Sequence, residues 1–202
     1  MHPRLPVPHL RPWATMSSHP TLSPESFITR WDGTQQAERA NDIPFLNDLC
    51  DTIGVHRPPP VSGGGGDYRY ERSVTHRNDD GPDTTRRINL YRRSHFALEA
   101  KQAANEAPAQ TLLFGTPETD RCTTIRSSKG WLQAMLKAKG QAEGYTRDLP
   151  VEEGYPPFLI VADVGFCFDL YADFSGTGKH DAQFPDRDGH RLDLKDLTNT
   201  TI

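Results

Sequence analysis

Cysteine is scarce in this chain. The three present, Cys50, Cys122 and Cys167, lie far apart and form no Cys-x-x-Cys pair. That argues against a disulfide scaffold and a zinc site, and it sets the expected compartment as the reducing cytoplasm. Long apolar runs are lacking too, and no stretch approaches a membrane span of ~20 residues. The first 15 residues, rich in Pro, His and Arg, have no apolar segment of the kind a secretory signal needs. Positive charge is not in excess: 23 Lys and Arg stand against 27 Asp and Glu, a net charge of −4. This excludes a basic coat protein, although a local basic patch can still hold a phosphate backbone. What is abundant is Pro, 17 residues, and Gly, 16, so long connections surround a modest core in a chain sized for one domain.

Residues 1–20 are expected to form a disordered extension, with Met16 a candidate alternative start. Ser23-Pro24-Glu25 reads as an N-cap, an N1 proline and a first-turn acid, opening a helix through Phe27, Ile28 and Trp31. A second helix is expected over 35–53, with Phe45, Leu46, Leu49, Cys50 and Ile53 at helical spacing. Pro44 either kinks it or marks a new start at Asp42, and Gly54 ends it. Residues 57–66 are a linker or flexible loop, and Tyr68–Val74 alternates as a strand. Period-two alternation on both sides of Arg93-Ser94 predicts a β-hairpin from Arg86–Tyr91 and His95–Lys101. Residues 103–127 read as an irregular insertion. A helix from Trp131 to about Leu149 is expected to turn Trp131, Leu132, Met135 and Leu136 inward, and Phe158–Val164 and Phe166–Tyr171 to form a second hairpin. The remainder after Phe174 is rich in loop residues. The fold class is α/β (α+β), a mixed sheet flanked by helices. The alternative is a loosely attached helical arm over residues 1–66.

The hairpin carries the chemistry. Glu99 and Lys101 are two apart on a strand and therefore share a face. Side by side, a carboxylate can bind Mg²⁺ and an ammonium can orient or activate an attacking water, which is the pair a nuclease requires. On an exposed strand the same spacing can be a solvated ion pair. With a turn at Arg93-Ser94-His95, residue 89 falls opposite residue 99, where a second metal ligand belongs. That residue is Asn89, a neutral and poorer Mg²⁺ ligand than Asp, so cleavage is expected to be weak or lost. Asp83 can replace it as a metal ligand only if the preceding loop folds back, and Glu38 is a further acidic candidate. Gln141 and Tyr145 share a helix face four residues apart and are candidate members of the site. Arg86, Arg87, Arg92 and Arg93 flank the hairpin, either as DNA phosphate contacts or as a charged strand edge that blocks aggregation. The eight histidines show no metal spacing, and His95, His180 and His190 are expected to be exposed.

Taken together, Phe96-Ala97-Leu98-Glu99-Ala100-Lys101-Gln102, Ile88-Asn89-Leu90-Tyr91 and Gly140-Gln141-Ala142-Glu143-Gly144-Tyr145 resemble the PD-(D/E)xK nuclease superfamily. With Ser23–Phe27, Phe45–Cys50, Pro156–Val161 and Tyr171–Lys179 they are similar to the N-terminal domain of MmeI-like adenine-specific DNA methyltransferases, including the type IIL and DISARM-type phage-defence enzymes. The resemblance implies a nuclease-like domain over 21–197, with 198–202 a tail or truncated connector, and a fragment without the methyltransferase part. It implies double-stranded DNA as partner, methyltransferase and target-recognition domains outside this sequence, and a role in restriction-modification or phage defence. Mg²⁺ is the implied cofactor if the domain is active. Glu99 and Lys101 carry over as catalytic positions, while Asn89 departs from the Asp of cleaving members.

Two other motifs compete. Asp173-Phe174-Ser175-Gly176-Thr177-Gly178 looks like an S-adenosylmethionine loop, and Tyr155-Pro156-Pro157-Phe158 like an amino-methyltransferase motif. Tyr155 stands where a polar acceptor is needed, the motifs are about fifteen residues apart, and 24 residues after Gly178 are too few for the remaining strands and helices of that fold. No S-adenosylmethionine is therefore expected in this chain. Gly176-Thr177-Gly178-Lys179 lacks the spacing of a phosphate-binding loop and is followed by His180. The remaining alternative is a non-catalytic DNA-binding or docking module on the same fold.

Overall fold

The structure, a computed structural model, describes residues 22–34, 38–60, 66–78, 81–103 and 125–199, with only the backbone of residues 38 and 39. The expected extension 1–20, residues 61–65 of the 57–66 loop, Cys122 and nearly all of the expected insertion 103–127 lie outside these residues.

Helix α1, Pro24–Trp31, starts where the sequence predicts, with the Ser23 hydroxyl accepting from the Ser26 amide at 3.2 Å. Helix α2, Glu38–Ile53, runs through Pro44 without a break. Gly54 adopts φ 72° just past its end, and the Val55 amide closes on the Cys50 carbonyl at 2.9 Å. Asp48 of α2 ties the two helices together by accepting from Arg30 at 2.8 Å and from the Trp31 indole at 2.9 Å.

Strands β1, Tyr68–His76, β2, Thr84–Arg92, and β3, Phe96–Lys101, form an antiparallel meander. Helix α3, Lys129–Arg147, then crosses over to β4, Phe158–Asp163, which lies parallel to β3. Strand β5, Cys167–Ala172, returns antiparallel as expected. The segment read as loop adds two short strands, β6, Ala182–Gln183, and β7, Arg191–Asp193, both paired to β5. Hydrogen bonds to an existing strand edge stabilise them, and two or three residues leave no alternation to read. The seven strands form one mixed sheet.

Both faces of the sheet are covered. Phe27, Trp31, Phe45 and Leu46 of α1 and α2 pack on Leu90, Leu98, Ala100, Ala162 and Phe168. On the other face, Trp131, Met135, Ala138 and Ala142 of α3 pack on Ile88, Tyr91, Ala97, Leu159, Val161 and Tyr171. Leu132 and Leu136, expected inside, are 44% and 62% exposed. A helix lying flat on a sheet buries a narrow arc, and residues 132 and 136 sit about 100° round from Trp131 and Met135. Small Ala138 and Ala142 allow the close approach instead. Asp163, fully buried at the end of β4, anchors the start of α3: it accepts from the Trp131 indole at 2.8 Å, from Arg126 at 3.2 Å and from the Ala103 amide at 3.1 Å. Cys50 and Cys167 are buried free thiols. No helix among the described residues is long and apolar enough to cross a membrane.

Met135→Ala is expected to lower stability by about 2–5 kcal/mol, and Leu136→Ala by less than about 0.5. Urea denaturation of both checks this. Equal losses would mean the helix face has been misassigned.

Candidate active site at the β2–β3 seam

The hairpin turns at Arg93-Ser94-His95, with Ser94 in the left-handed region at φ 59° and the His95 amide bonded to the Arg92 carbonyl at 3.0 Å. Pairing runs Arg92↔Phe96, Tyr91↔Ala97, Leu90↔Leu98 and goes no further, whereas β1 and β2 stay paired to His76↔Thr84. The reason lies in where the side chains go. Ile88 belongs to the α3-side core and Leu90 to the α1/α2-side core, which a regular strand of period two forbids. The irregularity is taken up at Asn89 and, on β1, at Glu71, a non-glycine residue at φ 49° left out of the register between Tyr70↔Leu90 and Arg72↔Ile88.

Released from alternation, the Asn89 carboxamide fills the seam. Its Oδ1 accepts from the Ala100 amide at 2.9 Å, standing in for a ladder bond. Its Nδ2 donates to Asp42 Oδ2 of α2 at 3.3 Å and to Glu71 Oε1 at 3.4 Å. Asn89 thus bonds the backbone of the residue between Glu99 and Lys101, but its side chain turns to Asp42 of α2, away from the face that carries the pair. The expected same-face grouping of residues 89 and 99 does not form, because the break in alternation rotates Asn89 out. Glu99 is 4% exposed, and Lys101 Nζ lies 3.0 Å from its Oε1. Both face α3, since Glu99 is registered with Val161 and Lys101 with Asp163 on that side.

Gln141 and Tyr145 are half-buried on α3. Tyr145 packs against the α3-side core, and the Arg86 guanidinium lies 5.7 Å from its ring. Asp83 is exposed just before β2, roughly 20 Å of strand from Asn89, and does not join the seam. The side chain of Glu38 lies outside the described residues. Of the four flanking arginines, three are engaged within the fold. Arg86 also meets Asp148 at 3.5 Å, Arg92 lies 5.3 Å over the Tyr68 ring, and Arg93 bonds the Glu152 carbonyl at 2.5 Å. Arg87 faces solvent, 64% exposed, with Glu71 at 3.8 Å. His95 and His190, expected exposed, are half-buried; the first bonds the Arg93 carbonyl at 2.8 Å and the second packs 5.9 Å from the Tyr171 ring.

Sequence reasoning missed Asp42, Glu71 and Gln102. Gln102, 5% exposed, accepts from Asn41 at 3.2 Å and donates to the Thr34 carbonyl at 3.1 Å, so α2 and the end of α1 grip the strand end that carries Lys101. No local periodicity announces contacts made across such separations. Among the described residues, no three His, Cys, Asp or Glu side chains are grouped to hold a metal ion. The seam does not fit a divalent cation as it stands, because the Asn89 N–H groups point at the two carboxylates that a cation would bridge.

The two competing motifs pack against each other at the far end of β4 and β5. The Asp173 carboxylate accepts from the amides of Ser175 at 2.8 Å, Lys179 at 3.2 Å and His180 at 3.4 Å, and from the Ser175 hydroxyl. These bonds, the Ser175 hydroxyl foremost, hold its pKa down to about 2. Gly178, at φ 65°, leaves no room for a Cβ, which would stand 2.4 Å from the Tyr155 ring. The glycines thus close a turn filled by its own backbone.

The arrangement defines a class, an α+β domain with a Glu-x-Lys pair on the central strand β3. More particularly, the family model described as MmeI, N-terminal domain, matches residues 22–200, and the chain belongs to that family. No curated protein and no solved structure matches it.

Asn89→Asp keeps an acceptor for Ala100 but removes both N–H donors and adds a third carboxylate. It is expected to cost about 1–3 kcal/mol in metal-free buffer, read by urea denaturation; an unchanged midpoint would show that the amide does not clasp the seam. For Asp173, a folded pKa below the unfolded one means stabilisation that is present above about pH 4 and lost as pH falls toward 2. Asp173→Asn should therefore flatten the acid limb of the melting profile between those values.

Proposed function

We propose that this domain engages double-stranded DNA within a restriction-modification or phage-defence adenine methyltransferase, through a PD-(D/E)xK-type site whose Mg²⁺-dependent phosphodiester cleavage is weak or lost. The observation that carries the reading is the Glu99–Lys101 pair at 3.0 Å beside a seam closed by the Asn89 carboxamide. The pair is the part of a nuclease site that places a carboxylate and an ammonium at one phosphate. The amide directs the positive end of its dipole between Asp42 and Glu71, and so opposes the binding of a cation there. In this reading the domain works in the cytoplasm beside methyltransferase and target-recognition domains that supply methylation and sequence choice. Gln141 and Tyr145 line the DNA-facing side, and Arg87 is the hairpin arginine best placed to meet phosphate. A non-catalytic binding or docking module is the second reading, and the amide at position 89 favours it over an efficient nuclease.

Plasmid cleavage with Mg²⁺ or Mn²⁺ tests this on the natural chain, Asn89→Asp, and Asn89→Asp combined with Lys101→Ala. Expected are little or no cutting by the natural chain, gain of cutting on Asn89→Asp, and its loss by on the order of 10²-fold or more in the double variant. Strong cutting by the natural chain would refute the lost-cleavage reading. Neither cutting nor duplex binding by any version would refute the DNA-engaging one.

A further inference from the structure

On the outer part of the β1–β2 ribbon, Arg69 lies directly across from Tyr91, and paired positions share a face. Three residues on, Arg72 belongs to the opposite face of a regular strand. The left-handed Glu71 between them breaks the alternation, and Arg72 reaches the same corner, where it ion-pairs with Glu153 of the 3-10 turn Val151–Glu153. Three donors there are buried without a hydrogen-bond partner among the described residues: Arg69 Nε, Arg72 Nε and the Tyr91 hydroxyl. Burial, and then the neighbouring Glu153 carboxylate, push the fully buried Tyr91 hydroxyl above its ordinary pKa. Asp67, also nearby, is 78% exposed and stands 3.6 Å from Arg93. Burial, then the like charge of Arg72, holds the Arg69 guanidinium below its ordinary pKa.

Buried donors are nearly always satisfied. Three donors together, two of them guanidinium groups, match the oxygens of a tetrahedral anion. We propose that Arg69, Arg72 and Tyr91 form a binding site for a phosphodiester group of a nucleic-acid strand. The choice of source rests on the DNA-engaging reading above; the anion chemistry does not. Tyr91 pairs with Ala97 on β3, and Glu99 is the next residue on that face. Strand spacings then put Arg69 roughly 12 Å from Glu99 along the sheet. Of the arginines named from the sequence, Arg93 borders this corner, bonding the carbonyl of Glu152 beside Glu153, whereas Arg69 and Arg72 were not among them.

The test uses the full chain, Arg69→Met, which keeps length without charge, and Tyr91→Phe, which removes only the hydroxyl. The probes are inorganic phosphate, against chloride at equal ionic strength, and a 20-base-pair duplex titrated at several salt concentrations. Phosphate is expected to raise the melting temperature of the natural chain by about 3 °C or more, and by much less in either variant. The slope of log affinity on log salt is expected to fall by about 0.9 in Arg69→Met. A phosphate shift that needs Arg69, in a chain that does not bind the duplex, overturns the nucleic-acid assignment and leaves an anion site. Duplex binding with an unchanged slope in Arg69→Met, and no phosphate shift, overturns the site and leaves the DNA-engaging reading standing.

Discussion

Ile88 and Leu90 must reach opposite cores, and a strand of period two cannot deliver both. The sheet resolves this with a local irregularity at Asn89 and Glu71, and much of the molecule follows from it. β2 leaves β3 at Leu90 while keeping β1. The freed half of the ribbon folds toward the end of α3, where His76 and Arg86 meet Asp148. The gap left beside β3 is closed by one side chain, the Asn89 carboxamide. Glu71 turns the β1 backbone so that Arg69 and Arg72 meet at one corner. The candidate active site and the basic corner are thus two consequences of a single break in alternation.

The way charge is buried sharpens the contrast between them. Asp163, Glu99 and Asp169, each at most 4% exposed, are matched by Arg126, Lys101 and Arg191 respectively. Two of these cations are further seated on aromatic faces, Arg126 at 5.0 Å from Phe166 and Arg191 at 4.5 Å from Trp131. Such matching offsets the cost of removing a carboxylate from water. At Arg69 and Arg72 the balance runs the other way, with donors in excess of acceptors.

Much of the architecture was legible before any coordinates. The Ser23 cap, the hairpin turn at 93–95, the second hairpin of Phe158–Val164 with Phe166–Tyr171 and the Glu-x-Lys pair all follow from local rules. A cap needs a side chain three residues away, and a hairpin needs a turn between two alternating runs. Leu132 and Leu136 were misread because helical spacing defines an arc of apolar residues, while the width of that arc is set by what the helix lies upon. The short strands β6 and β7 were missed because their hydrogen bonds are supplied by β5, far away in sequence.

The sequence by itself determined the class: a mixed sheet between helices, with a carboxylate and an ammonium side by side on a central strand. Those features depend on residues within a few positions of one another, where propensity and periodicity act. Only the tertiary structure decided what surrounds that pair. Asp42, Glu71 and Asn89 lie on three elements, and their meeting depends on two cores pulling neighbouring residues of one strand in opposite directions. No pattern along the chain encodes that competition, because it exists only once both faces of the sheet are packed.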